Sequence, residues 1–247
     1  MKRYYLFVCW TLLLACSKTK HAEDTLVLCT NSTYPPYESI DKNGNSVGFD
    51  IDMASAIAKQ LGKKLRILEL PFDSMILTLE QGKCDFIMAG MSITPSRQKE
   101  ILMIPYQGEP VKSYYLLFWK QNPVGMDALK GKTIAVHSGT WMENYLNTLK
   151  DITPKPLEST PELILEIQYH KSAAAFVEPH ITRTLLPKQP NIRAIEIPLP
   201  ESDWKLGNGI GIKKSNTQLA KQIQTALDSI KQSGLALQLE QKWLHTP

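Results

Sequence analysis

Met88-Ala89-Gly90-Met91-Ser92-Ile93-Thr94-Pro95-Ser96-Arg97-Gln98-Lys99 follows an apolar run, Phe86 to Met88, that reads as the end of a buried strand. Gly90 permits close approach of the backbone to a ligand, Thr94 suits a helix N-cap, Pro95 suits the first helical position, and Arg97 then falls in the first turn. A strand end, a small-residue loop and a helix start thus meet at one place. Unpaired N–H groups and a guanidinium fork are donors matched to a carboxylate. The stretch reads as a carboxylate clamp.

Outward from the clamp, the pattern is β-loop-α-β-α-β-α. Leu26 to Thr30 is a short strand, and Tyr34-Pro35-Pro36-Tyr37 is an extended loop whose prolines forbid a helix. Ile51, Ala54, Ile57, Ala58 and Leu61 form a helical stripe with Asp50 as cap and Gly62 as stop. Leu65 and Ile67 mark a second strand, and Asp73 caps a helix that halts at Gly82. Such alternation predicts a parallel sheet with covering helices. After an irregular stretch from Pro105 to Pro110 the theme restarts: strands over Ser113–Trp119, Lys132–His137 and Ala173–Val177, with helices after Ser138-Gly139-Thr140, from Thr160-Pro161, and after Glu178-Pro179. Strands at Ala194–Ile197 and Trp204–Ile212 and two amphipathic helices end the chain. Two similar α/β lobes are implied.

The chain has 247 residues, 43% apolar and 21% charged, which is ordinary globular composition. Met1 to Cys16 has a basic start and an apolar core from Leu6 to Ala15, the layout of a secretion signal and too short to remain as a membrane span. Leu13-Leu14-Ala15-Cys16 is similar to a lipobox, so Cys16 is the expected lipidation site. Residues 1–16 are then a lipoprotein signal peptide and 17–23 a tether to a membrane surface. The formal charge is +4, and two of the basic residues, Lys2 and Arg3, lie in that leader. The remainder is too mildly basic to suggest nucleic acid. Of the four cysteines, Cys9 and Cys16 belong to the leader, leaving Cys29 and Cys84. If these end and begin two parallel neighbouring strands, a rise of ~3.3 Å per residue puts them roughly 10 Å apart. Two free thiols are expected. His137, His170 and His180 lack metal-ligand spacing, and no G-x-S-x-G elbow accompanies Ser138. No metal, cofactor or catalytic residue is assigned.

Tyr34-Pro35-Pro36-Tyr37, Val47-Gly48-Phe49-Asp50-Ile51-Asp52-Met53, Phe72-Asp73-Ser74-Met75-Ile76, the clamp, Ser138-Gly139-Thr140 and Gly234…Lys242-Trp243 occur in order, and on them residues 24 to 245 resemble family 3 bacterial solute-binding proteins, the extracytoplasmic amino-acid receptors of ABC importers. Within that family the chain is most similar to ArtJ-type arginine-binding lipoproteins. The resemblance implies a type II periplasmic-binding-protein fold: two α/β lobes, 24–109 with 202–247 and 110–201, joined by two crossover strands around a ligand cleft. It implies that Arg97 holds an α-carboxylate, helped by Ser92 and by N–H groups near Gly90, Met91 and Thr140. Glu178 stands where most members place Asp for the α-ammonium. Tyr34 and Phe72 match the aromatics that sandwich the ligand side chain, and Asn31 and Trp141 sit where members differ with specificity. The expected protein is a lipid-anchored monomer in the periplasm or on the cell surface, working with an ABC permease and binding arginine first, glutamine or another polar amino acid second. The alternatives are a cyclohexadienyl dehydratase-like enzyme on the same fold, with Glu178 as acid, and an amino-acid sensor without transport.

Overall fold

The computed structural model describes residues 24–108, 111–201 and 204–244. The expected signal peptide (1–16), tether (17–23) and lipidation site Cys16 lie outside the described residues. The first part of the chain forms β1 (Thr25–Thr30), β2 (Thr33–Tyr34), β3 (Glu38–Ile40), β4 (Ser46–Val47), α1 (Phe49–Gln60), β5 (Lys64–Glu69), α2 (Met75–Glu80), β6 (Phe86–Ile87), α3 (Pro95–Glu100) and β7 (Ile101–Gln107). The middle part forms β8 (Ser113–Trp119), β9 (Lys132–His137), α4 (Trp141–Thr148), β10 (Ile152–Leu157), α5 (Thr160–Gln168), β11 (Ala174–Val177), α6 (Pro179–Leu185) and β12 (Ile192–Pro198). The last part forms β13 (Asn208–Lys213), α7 (Thr217–Gln232) and α8 (Leu235–Trp243).

Two five-stranded sheets result, in orders β5-β1-β6-β13-β7 and β10-β9-β11-β8-β12. In the first, β1 runs parallel to β5 and β6, while β13 runs antiparallel to β6 and β7. In the second, β9 runs parallel to β10 and β11, while β8 runs antiparallel to β11 and β12. Every residue of β1 after Thr25 is buried because both faces are covered. Leu26 and Leu28 pack with Phe49, Met53 and Ile57 of α1 and Ile223 and Ile230 of α7. Val27 and Cys29 point the other way, onto Met75 and Leu79 of α2. The C-terminal helix is pinned to α1 by Asp52, which accepts from Lys242 Nζ and Trp243 Nε1, each at 2.7 Å.

The sheets are joined by two segments lying side by side. Val111 and Lys205 exchange backbone hydrogen bonds at 2.9 and 3.3 Å. Gly207 has φ +81°, and a Cβ on it would meet the Gly108 carbonyl oxygen at 2.7 Å. Only glycine lets the two strands touch there.

Three expectations are corrected. Cys29 and Cys84 form a disulfide, with Cα atoms 5.9 Å apart. Cys84 lies in the irregular segment before β6, between bends at residues 83 and 85, rather than on a strand, so an extended rise does not apply to it. The stretch from Pro105 is not wholly irregular, because β7 continues to Gln107; it is a sheet edge, where a proline is tolerated. The same reason explains β10, concealed in the sequence by Pro154 and Pro156 and also at an edge.

Candidate amino-acid cleft

The clamp folds as its residues dictate. After β6 the chain turns through Gly90 at φ +55°, and α3 begins at Thr94, whose Oγ1 accepts from Arg97 N at 3.3 Å, with Pro95 at its first position. Gly90 N donates to Asp50 Oδ2 at 2.7 Å, and Tyr106 Oη donates to Asp50 Oδ1 at 2.7 Å. Asp50 is therefore no helix cap. Gly48 occupies that position, and Asp50 is a buried carboxylate inside α1 that fixes the clamp backbone. Burial pushes its pKa up to about 6, against the pull of those two donors.

Arg97 is buried, which lowers its pKa to about 10, opposed by the charge of Glu178. It remains a cation at neutral pH. Two of its five N–H donors go to backbone carbonyls, Nη1 to Ser92 O at 2.8 Å and Nη2 to Gly139 O at 3.2 Å. The guanidinium carbon lies 5.2 Å from the centre of the Phe72 ring, within cation–π range. Gly139 follows β9 of the second sheet, so Arg97 already spans the two bodies.

Further contacts close the mouth. Ser138 Oγ donates to Asp73 Oδ2 at 3.2 Å and Thr33 Oγ1 to Glu158 O at 3.3 Å. Gly139 has φ +69°, and a Cβ on it would sit 2.8 Å from Asp73 Cα. Gly139→Ala is therefore expected to oppose closure. The backbone strain alone costs about 1 kcal/mol, a melting shift of about 2–4 °C for a chain of this size. Ligand affinity should fall further, by about tenfold or more, because the clash exists only when the bodies meet. Parallel calorimetry and thermal melts check this, and an affinity loss no larger than the stability loss would contradict it.

The opposing anchor is Glu178, between β11 and α6. Tyr34 Oη donates to its Oε2, Ser92 Oγ donates to its Oε1 at 3.4 Å, and His180 Nδ1 lies 3.6 Å from Oε2. Burial raises the Glu178 pKa, while the Tyr34 bond and the Arg97 charge hold it down. The Tyr34 ring stands edge-on to His137 and His180, with centroids at 5.2 and 4.5 Å. Desolvation pushes His137 down to about 4 and His180 well below its usual value, so both imidazoles are neutral at pH 7. No direct Arg97–Glu178 ion pair is among those of the described residues.

Asn31, Tyr34, Phe72, Gly90, Ser92, Arg97, Thr140, Trp141 and Glu178 line one cleft holding about 480 Å³ of unfilled space, its mouth included. Met91 does not join them. Its side chain packs with Val27, Cys29 and Met75, because it alternates away from the cleft, and its carbonyl accepts from Gly209 N at 2.9 Å. Thr140 caps α4, accepting from Glu143 N at 3.3 Å, and Trp141 stacks on Tyr114 and Tyr145. The cleft also takes in Thr33, Glu38, Ala89, His137, Ser138 and Glu158, to none of which the sequence reading assigned a ligand contact. Glu158 follows β10, the strand its prolines conceal. One end of the cleft is acidic: burial and the charges of Asp73, Glu162 and Glu143 all raise the Glu158 pKa.

Similarity to known proteins agrees with this geometry. Residues 26–246 match the family described as bacterial extracellular solute-binding proteins, family 3. The chain is 41% identical to the probable ABC transporter arginine-binding protein ArtJ of Chlamydia trachomatis, over 96% of this chain and 93% of that one. Among solved structures it is similar to a mutant of ArgBP from T. maritima, with TM-score 0.82, 29% identity and coverage of 90% and 96%. An ancestral arginine-binding protein, solved with arginine and with glutamine, gives TM-scores of 0.78 and 0.81 at 28% identity, covering 90% of this chain and 99% of that one. With two α/β bodies, paired crossovers and a cleft between them, the chain belongs to the family 3 bacterial extracellular solute-binding proteins.

Proposed function

We propose that the cleft binds a free polar L-amino acid, arginine first and glutamine or another polar amino acid second, and that the protein hands it to the permease of an ABC importer. It acts outside the cytoplasm as a binding component, not an enzyme, in keeping with its named relatives. Lipidation at Cys16 would hold it as a monomer beside the membrane. The lobes of the reading are 24–109 with 202–247 and 110–201, moving about the crossover pair.

The observation that carries this is the placement of Arg97 and Glu178 on opposite bodies, facing one cleft. A zwitterion buried between them meets an opposite charge at each pole, without which desolvation would forbid burial. Tyr34 and Phe72 flank the space for the side chain. Asn31 carries no charge, but Glu158 and Asp73 do, and they make the outer end suit a guanidinium. Micromolar binding needs about −8 kcal/mol, or roughly −0.7 per heavy atom for arginine, which demands near-complete enclosure. Closure about the crossovers supplies it.

Calorimetry of the mature chain with each of the twenty amino acids tests this. Arginine is expected to bind at about micromolar Kd, with glutamine weaker. A preference for an acidic amino acid, or no binding at all, would overturn it. Glu158→Gln is expected to weaken arginine about three- to tenfold, the scale of a partly exposed charge pair, while leaving glutamine within about twofold.

A further inference from the structure

We propose that His137 makes closure of the cleft sensitive to pH, so that the ligand is held at neutral pH and released as the surroundings turn acidic; this rests on the amino-acid reading above. His137 ends β9 in the second body and lines the cleft, and the Tyr34 ring that stands edge-on to it, with centroids 5.2 Å apart, belongs to the first body. Its Nε2 lies 3.2 Å from Thr160 Oγ1, a neighbour in its own body, and its Nδ1 is buried with no hydrogen-bond partner. A neutral imidazole fits this setting, with Nε2–H donating to Thr160 and Nδ1 left as a bare lone pair. An imidazolium carries an N–H on both nitrogens, so it would bury the second one unpaired together with its charge.

No carboxylate among the described residues forms an ion pair with His137. The acids of the elements around it are committed elsewhere: Glu162 of α5 to Ser159, Glu143 of α4 to Gly139 N, Glu178 to Tyr34 and Ser92, Asp73 to Ser138, and Glu38 of β3 to Asp50. Glu158, after β10, is exposed, while Arg97 and the neutral His180 offer an imidazolium no attraction. Burial is accordingly what brings the closed-state pKa of His137 to about 4. Parting the bodies carries Tyr34 away and admits water to the cleft face of the ring, where an imidazole titrates near its ordinary value of about 6.5. Since closure lowers the pKa, affinity is full above that ordinary value, falls about tenfold per unit of pH below it, and levels off near the closed-state value. His180 also lies under rings of the first body, Tyr34 at 4.5 Å and Tyr37 at 4.8 Å. Its Nδ1, however, is 3.6 Å from Glu178 Oε2, which favours the imidazolium, while Arg183 opposes it, so the sensor assigned is His137.

His137→Gln keeps an N–H for Thr160 and cannot take up a proton in this range. Kd for L-arginine is measured at about pH 8 and about pH 5 for this variant and the unaltered protein, and each chain is read as its own ratio between the two, so that any effect of the substitution at neutral pH cancels. Protonation of Glu178 weakens both chains alike; the share of His137 is the excess in the unaltered protein, expected to be about thirtyfold. Ratios that agree within about threefold would overturn the proposal. If His137→Gln does not fold, the imidazole resonances of the unaltered protein decide, titrated with and without saturating L-arginine: a His137 pKa near 6.5 in the free protein and below about 5 in the complex supports the proposal, and the same pKa in both overturns it. Failure of the unaltered protein to bind any amino acid at about pH 8 would overturn the parent reading and this proposal with it, whereas binding with no excess pH dependence would overturn this proposal alone.

Discussion

Arg97→Ala is expected to raise the Kd for L-arginine by about two to four orders of magnitude. The ligand carboxylate would enter the cleft with no counter-ion, and an uncompensated buried charge costs about 3–5 kcal/mol. The same change removes the Nη2 bond to the Gly139 carbonyl, one of the contacts between the two bodies. Arg97→Lys would keep the charge but lose the planar fork, the hold on two carbonyls and the overlap with Phe72. It should fall between the alanine variant and the native chain. Calorimetry reads both. Retention of affinity within about tenfold by Arg97→Ala would remove Arg97 from the account.

Replacing Cys29 and Cys84 together by alanine is expected to cost about 4 kcal/mol of stability, because the bridge closes a loop of 55 residues and restricts the unfolded chain. For a protein of this size that is a drop of about 8–16 °C in melting temperature. Reductant should give a comparable drop in the native protein. Mass spectrometry after alkylation under denaturing conditions should show no addition without reductant and two with it. Two additions without reductant would contradict the bridge. An extracytoplasmic location is compatible with such a bond.

The parts of this protein legible in its sequence are those where local chemistry and tertiary context agree. Thr94, Pro95 and Arg97 read as a cap, a first helical residue and a clamp, and they fold that way. The apolar runs of β1, β9 and β11 read as covered strands for the same reason. What could not be read depended on partners distant in sequence. Asp50 reads as a cap by local chemistry, yet Gly90 and Tyr106 draw it inward as a buried acceptor. Pro154 and Pro156 argue against a strand locally, and the edge position of β10 overrides them, so Glu158 behind it was missed. Cys84 escaped because the irregular segment that holds it has no fixed rise. Met91 follows Gly90, where the alternation of the chain decides which neighbour faces the cleft, and its side chain turns into the core.

The pairing of opposite charges across the cleft can be tested by deleting each charge from the ligand instead of from the protein. L-Arginine, agmatine, which lacks the carboxylate, and 5-guanidinopentanoate, which lacks the ammonium, are titrated in turn into the unaltered mature chain. The account predicts about micromolar binding for L-arginine and a loss of at least about a hundredfold for each of the other two, since each leaves Arg97 or Glu178 buried opposite nothing. Equal affinity for all three would contradict it.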